Sequence, residues 1–201
     1  MRVTIFDYGA GNIHSLAKAL ATAGADVVVE PDPGRAVDTD ALVLPGVGAF
    51  GPAAERLAPG RARMREALGA GLPCLGICLG MQLLFDRSDE ASDEALGLGI
   101  VPGRVTRLAA HRVPQIGWNA VDAADDPLLD EAPLDHVYYA NSYVCRPRDA
   151  EAVVHAWSTH DDDRFPALVR VGRTVGVQFH PEKSSRPGLR FLHAFLDHAR
   201  P

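Results

Sequence analysis

From Met1 to Phe85 the chain alternates short β-rich apolar runs with stretches whose apolar residues recur at helical spacing. RVTIF (Arg2 to Phe6) is the first run. The glycine turn DYGAGN follows, and then IHSLAKALATAG, an amphipathic stretch that Asn12 is placed to cap and Gly24 to end. DVVVE (Asp26 to Glu30) and ALVLP (Ala41 to Pro45) are further strands. ALVLP leads into GVGAFG, after which the Arg- and Ala-rich segment Arg61 to Leu68 has helical composition. LPCLGIC is a fourth buried run and passes into GMQLLF, again helical in composition. Strands that are apolar throughout are covered on both sides, so this order predicts an α/β fold with a parallel sheet and helices on both faces.

The second half changes character. DRSDEASDEALG (Asp86 to Gly97) is acidic and polar and reads as an exposed loop. IVPGRVTRL, QIGWNAV, HVYYANSYV, AVVHAWS and ALVRVGRTVGVQF follow, the last broken into two runs by a Gly-Arg turn. They predict β-hairpins and an antiparallel β extension. The chain closes on GLRFLHAFLDHA (Gly188 to Ala199), a helix by its spacing. No repeat, low-complexity tract or linker interrupts the pattern, and 201 residues suit a single domain, 1–201.

Charge narrows the function. A formal net charge of −6, with no cluster of Lys or Arg, argues against a nucleic-acid partner. No stretch approaches the roughly 20 apolar residues of a membrane span, and no basic segment leads an apolar core at the N-terminus. The expectation is a soluble, cytosolic protein. Three cysteines are an odd number for a disulfide framework, so free thiols in a reducing compartment are expected, with Cys145 as ordinary packing.

One cysteine is set apart by its neighbours. GICLG places Cys78 between Gly76 and Gly80, where a buried strand turns directly into a helix. A turn that sharp needs glycine on either side, because a Cβ there would strike neighbouring backbone. The expected result is an exposed sulfur at a helix N-terminus, where the helix dipole and free N–H groups favour the thiolate. The Leu79 N–H would then point at an oxyanion. Cys74, one strand segment earlier, should be buried and inert. The plainer alternatives are two packing cysteines or, more weakly, a Cys-x-x-x-Cys metal pair that lacks a second ligand pair. A nucleophilic thiol needs a base. Of eight histidines, His180 in VGVQFHPEKSS ends an apolar strand and is followed by Pro181 and Glu182, an acid placed to hold the imidazole in one tautomer.

GICLGMQLLF together with QFHPEKS resembles the class I glutamine amidotransferases, and the resemblance spans nearly the whole chain. It implies a doubly wound α/β fold whose Cys-His-Glu triad hydrolyses the side-chain amide of glutamine. Here those residues are Cys78, His180 and Glu182. LPGVGAFGPA, DYGAGNIHSL, GWN (Gly117 to Asn119) and HPEKSS narrow the resemblance to the glutaminase subunits of imidazole glycerol phosphate synthase, enzymes of histidine biosynthesis. The resemblance implies an oxyanion hole from Leu79 together with Val47 or Gly48 of PGVG. It implies a glutamine pocket from Gly46, Gln82, Asn141, Ser142 and Tyr143. The family pattern would put histidine where Asn141 stands and His-Met where Gln115-Ile116 stand. No metal or organic cofactor is implied.

The same resemblance implies a partner, a (β/α)₈ cyclase subunit that receives ammonia through a tunnel. This chain is too short to include such a barrel, which takes about 250 residues. Asn12, Trp118, Tyr138 and Lys183 are the candidate docking residues. Three other functions stay open at this point: the glutaminase subunit of another class I amidotransferase, a free-standing γ-glutamyl or peptide hydrolase on the same fold, and a binding subunit whose triad is unused.

Overall fold

The computed structural model describes residues 1–9, 13–122 and 125–200. Asn12, expected as both a helix cap and a docking residue, lies outside them. The first half comprises β1 (Arg2–Phe6), α1 (Ile13–Thr22), β2 (Asp26–Glu30), β3 (Ala41–Leu44), α2 (Phe50–Leu57), α3 (Arg61–Gly69), β4 (Cys74–Ile77) and α4 (Leu79–Leu83). The second comprises β5 (Arg87–Ser88), β6 (Gly103–Arg107), β7 (Gln115–Ala120), α5 (Pro127–Glu131), β8 (His136–Asn141), β9 (Tyr143–Pro147), α6 (Ala150–Val153), β10 (Val154–His160), β11 (Asp163–Val171), β12 (Thr174–Val177) and α7 (Ser185–Ala199).

Seven strands form one sheet in the order β10-β11-β12-β4-β3-β1-β2. From β12 to β2 all neighbours are parallel, while β11 and β10 add an antiparallel edge. Period-two alternation divides the core. Val3, Ile5, Val43, Leu75, Ile77, Val175 and Val177 pack with α1, α5 and α7. Phe6, Leu42, Leu44 and Cys74 pack with α2, α3 and α4 on the other face. Helices thus cover both faces of a mostly parallel sheet. Among the described residues no helix is long and apolar enough to cross a membrane.

Two small sheets make the extension: β5-β6-β9, where β5 runs parallel and β9 antiparallel to β6, and the antiparallel pair β7-β8. HVYYANSYV, one run in the sequence, divides at Ser142: Asn141 pairs with Gln115 of β7, whereas Tyr143 pairs with Arg107 of β6. The chain changes sheets there. That corner carries Asn141, Ser142 and Tyr143 to the same cavity as the residues that follow β3 and β4.

The exposed loop expected over Asp86 to Gly97 is found for most of its length, with Arg87, Asp89, Glu90 and Ser92 to Glu94 in solvent, but it is anchored at its start. Arg87 and Ser88 pair with β6, Ser88 is buried, and Glu90 accepts a hydrogen bond from the Phe50 N–H at 2.9 Å. Partners far along the chain pin this polar segment to the surface of the fold. Three short helices also escape the periodicity: α2 starts inside GVGAFG, while α5 and α6 run five and four residues. The signals for α5 were local ones, since Asp126 caps the Leu128 N–H and Pro127 opens the helix.

Candidate active site

A single residue, Cys78, joins β4 to α4, and its backbone stands at φ 46°, ψ −102°. For a residue with a side chain that conformation costs on the order of 1–3 kcal/mol, so surrounding contacts must hold it. The Cys78 N–H donates to Val177 O at 2.7 Å, and its own carbonyl accepts from the Gln82 N–H at 3.0 Å. Glycine is required on both sides. A Cβ on Gly80 would sit 2.0 Å from the Leu44 carbonyl oxygen, and one on Gly76 would sit 2.7 Å from the Gly80 oxygen. Helix α4 runs only five residues. Its dipole is correspondingly small, and what the helix offers is the N–H groups of its first turn, Leu79 foremost, which have no partner within the helix.

The exposed sulfur expected from the elbow is corrected. Cys78 is 5% exposed and lines a cavity of about 210 Å³ with Gly46, Val47, Gly48, Leu79 and the Asn141 to Tyr143 corner. The covering comes from β3 and the β8–β9 corner, segments distant in sequence. The cavity is smaller than the roughly 300–1,000 Å³ that takes a drug-sized ligand, and suits a small molecule.

His180 reaches the same place from β12. Because β12 is parallel to β4, with Val177 opposite Ile77, the residues following the two strands emerge at one edge. The His180 side chain is buried, and its Nδ1 lies 2.8 Å from Glu182 Oε1. Pro181 and Glu182 belong to a one-turn helix, Pro181–Lys183, tied back when Ser184 Oγ donates to the His180 carbonyl at 2.7 Å. The ring's Nε2 is buried without a hydrogen-bond partner. Burial alone would lower the imidazole pKa, but the Cys78 sulfur and the Glu182 carboxylate outweigh it and push the value up to about 10.

Other side chains frame the cavity. A Cβ on Gly46 would come within 3.0 Å of His180 Cε1 and 2.9 Å of Ile77 Cγ2, so glycine is what lets β3 approach the pair. Gly48, at φ 125°, occupies a conformation that favours glycine, and Val47 before it is half-buried. Gln82 Nε2 and Asn141 Nδ2 both donate to the Tyr143 carbonyl, at 3.1 and 3.2 Å, and Asn141 Oδ1 is left buried without a partner. Ser142 completes this wall. All the oxyanion and glutamine-pocket candidates thus line one cavity.

Two residues of the site were missed from the sequence. Glu90 lines the cavity from the acidic segment, where nothing singled it out among its neighbours. Gln178, fully buried, donates from Nε2 to Cys78 Sγ at 3.4 Å. Its signal was visible: a polar residue in the apolar run VGVQF, two before His180.

The remaining candidates fall elsewhere. Cys74 and Cys145 are free and fully buried, and burial drives both thiols well above their usual pKa. Trp118 and Tyr138 pair across β7 and β8 with rings 6.2 Å apart edge to face, and Lys183 Nζ lies 5.9 Å above the Tyr138 ring. Trp118 is 53% exposed and Ile116 on the same ribbon 68%, leaving an apolar patch in solvent. No group of three or more metal-ligating side chains occurs among the described residues. A larger groove of about 1110 Å³, lined by Arg61, Arg65, Arg104 and Arg146, shares no residue with this site. Arg104 and Arg146 there are paired with Asp89 and Asp163.

A strand-to-helix elbow carrying cysteine, a histidine from the neighbouring parallel strand, and a carboxylate two residues on describe a known class. The class-I glutamine amidotransferase family model matches residues 4–199, and the chain belongs to that family. Within it the chain is similar to the imidazole glycerol phosphate synthase subunit HisH of Halobacterium salinarum, with 42% identity over 204 residues, 98% of this chain and 93% of that one. It is 43% identical over 202 residues to the imidazole glycerol phosphate synthase hisHF, chloroplastic, of Arabidopsis thaliana, covering 96% of this chain and 34% of that one. Among solved structures, one titled crystal structure of glutamine amidotransferase has a TM-score of 0.77 and 22% identity over 98% of both chains, a likeness of fold.

Proposed function

We propose that this chain is the glutaminase subunit of an imidazole glycerol phosphate synthase, and that Cys78 is its nucleophile. The observation that carries the proposal is that His180, hydrogen-bonded to Glu182, lies against Cys78, and that Cys78 itself lines a cavity of amino-acid size.

The Cys78 thiolate attacks the δ-carbonyl carbon of glutamine. The carbonyl electron pair moves to oxygen, where the Leu79 N–H and an N–H of Val47 or Gly48 receive it. Each well-aimed donor of this kind is worth roughly 10²–10³ in rate. The His180 imidazolium gives its Nε2 proton to the departing nitrogen, ammonia leaves, and a γ-glutamyl thioester remains. His180, now neutral, takes a proton from water as the hydroxide adds to the thioester carbon; the C–S bond then breaks, the sulfur regains its charge beside the protonated ring, and the new γ-carboxyl group gives its proton to solvent as glutamate leaves. Glu182 keeps Nδ1 protonated and the ring oriented throughout. Gln82, Asn141, Ser142 and Tyr143 hold the backbone end of glutamine, and Glu90 supplies the negative charge that an α-ammonium group seeks.

Ammonia released into water would be protonated and lost to synthesis, so the reading includes a (β/α)₈ cyclase partner. In it ammonia joins a phosphoribulosyl intermediate to give imidazole glycerol phosphate and an aminoimidazole carboxamide ribotide. The exposed Ile116 and Trp118, with Tyr138 and Lys183 beside them and continuous with the His180 segment, are the docking face. The Arabidopsis relative supports a partner, since about two thirds of that synthase lies outside the matched region.

The test is the rate of glutamine hydrolysis with and without the cyclase subunit and its nucleotide ligand. The expected result is stimulation by about 10²-fold, the worth of completing an oxyanion hole. Full activity in the isolated chain, unmoved by the partner, would identify a free-standing hydrolase instead.

A further inference from the structure

Gln178 has no part in the chemistry above, yet it is the amide that touches the sulfur. In the parallel register Val177 lies opposite Ile77, so the next residues, Gln178 and Cys78, lie side by side. Gln178 and His180, two apart where the chain leaves β12, both reach Cys78, the amide at its sulfur and the ring beside it. The Gln178 carboxamide is fully buried, with Nε2 3.4 Å from Cys78 Sγ and Oε1 without a partner. A buried polar atom left unsatisfied destabilises the fold. Its neighbours Val177 and Phe179 are apolar and fully buried, and a residue there for packing alone would be apolar too.

We propose that Gln178 is a positioning residue for the nucleophile: its amide N–H binds the Cys78 thiolate and holds the sulfur facing His180. The proposal rests on the reading of Cys78 as the nucleophile. A donor to the charged form favours that form, so Gln178 supports the ionised sulfur that the attack requires. When the sulfur bonds to the substrate carbon its charge passes to the oxyanion, the N–H···S contact weakens, and it re-forms when the thioester is hydrolysed. The unpartnered Oε1 gives the amide a second use. A half-turn of the carboxamide lets it accept from a neutral S–H, so the same side chain serves both states of the sulfur.

The other titrating groups around the sulfur are His180 and Glu182, Tyr8 beyond β1, Tyr139 on β8, Cys145 on β9 and Glu90 across the cavity. Substituting Gln178 leaves all of them in place. The experiment is the pH dependence of Cys78 alkylation by iodoacetamide, read as the Cys78 peptide by mass spectrometry, in the parent, Gln178→Met and Gln178→Glu chains. Met keeps the length without the donor, and Glu replaces the donor with a negative charge. The expected midpoint rises by about one unit in Gln178→Met, the worth of a hydrogen bond to a charged group, and further in Gln178→Glu. Profiles superimposable on the parent would overturn the proposal and leave Gln178 a packing residue.

Should either variant fail to fold, the parent chain decides. Alkylating Cys78 must move the Gln178 side-chain amide resonances, and unmoved resonances overturn the proposal. Neither readout uses glutamine. A shifted alkylation profile in a chain that does not hydrolyse glutamine would sink the glutaminase reading alone.

Discussion

His180 Nδ1 and Glu182 Oε1 are 2.8 Å apart, though the two residues are separated by a single proline. The one-turn helix Pro181–Lys183 bends the chain back so that the carboxylate meets the ring whose other nitrogen serves the sulfur. Glu182 is therefore argued to fix a tautomer rather than to touch substrate. Gln in its place keeps the shape and loses the charge. Glu182→Gln is expected to lower kcat for glutamine hydrolysis by about 10²-fold or more with KM little changed, measured by steady-state glutamate release. A change in KM alone would contradict an orienting role.

The two sulfurs near the elbow separate cleanly by environment. Cys78 opens on the cavity, whereas Cys74 faces α2, α3 and α4 across the sheet with no exposed surface. Cys78→Ala is expected to abolish glutamine hydrolysis while the assembled synthase still makes product from added ammonium salts. Cys74→Ala is expected to retain turnover and lose about 1 kcal/mol of stability for the vacated volume. Urea unfolding and glutamate release check both; a folded but inactive Cys74→Ala chain would show that the wrong sulfur was chosen.

Gly80 tests the elbow through its backbone. A methyl group 2.0 Å from the Leu44 carbonyl has nowhere to go unless β3 or α4 moves. Gly80→Ala is expected to cost about 3 kcal/mol and to reduce Cys78 alkylation, because the displaced segments build the cavity. Thermal unfolding and alkylation rate would be read on the same sample.

Acid stability tests a pair outside the site. The buried Asp126 carboxylate receives Arg170 Nε at 2.6 Å and Nη2 at 2.7 Å, and also caps the Leu128 N–H. Burial alone would raise its pKa, but the Arg170 hydrogen bonds and the capped N–H outweigh it and bring the pKa below the ordinary carboxylate value. A depressed folded pKa means stability fully present above the unfolded value and lost as pH falls through the folded one. Asp126→Asn is expected to cost about 3 kcal/mol near neutral pH and to flatten the acid limb of stability against pH. An unchanged acid limb would remove this pair from the account.

Much of this architecture was legible from local pattern. The central strands of the parallel sheet, β3 and β4, are buried along their whole length because helices cover both faces. Cys78 announced itself through Gly76 and Gly80, since only a crowded turn excludes side chains on both sides. His180 did so by ending an apolar strand just before Pro181 and Glu182. What escaped was set by residues far away. Glu90 is held at the cavity's edge by the Phe50 N–H forty residues earlier, which no periodicity in an acidic run can encode. The break at Ser142 is decided by rival partners, Gln115 for Asn141 and Arg107 for Tyr143, while the run itself reads as one strand. The burial of Cys78 arises the same way, from Gly46 and the Asn141 to Tyr143 corner closing over it.

The central claim is that Cys78 is the thiol that takes glutamine, and a glutamine analogue bearing a chloroketone in place of the amide tests it most directly. Mass spectrometry of the native chain is expected to find one adduct, on Cys78, slowed by excess glutamine and sharply reduced in His180→Ala. An adduct on Cys74 or Cys145, or labelling of Cys78 that glutamine does not slow, would contradict the account.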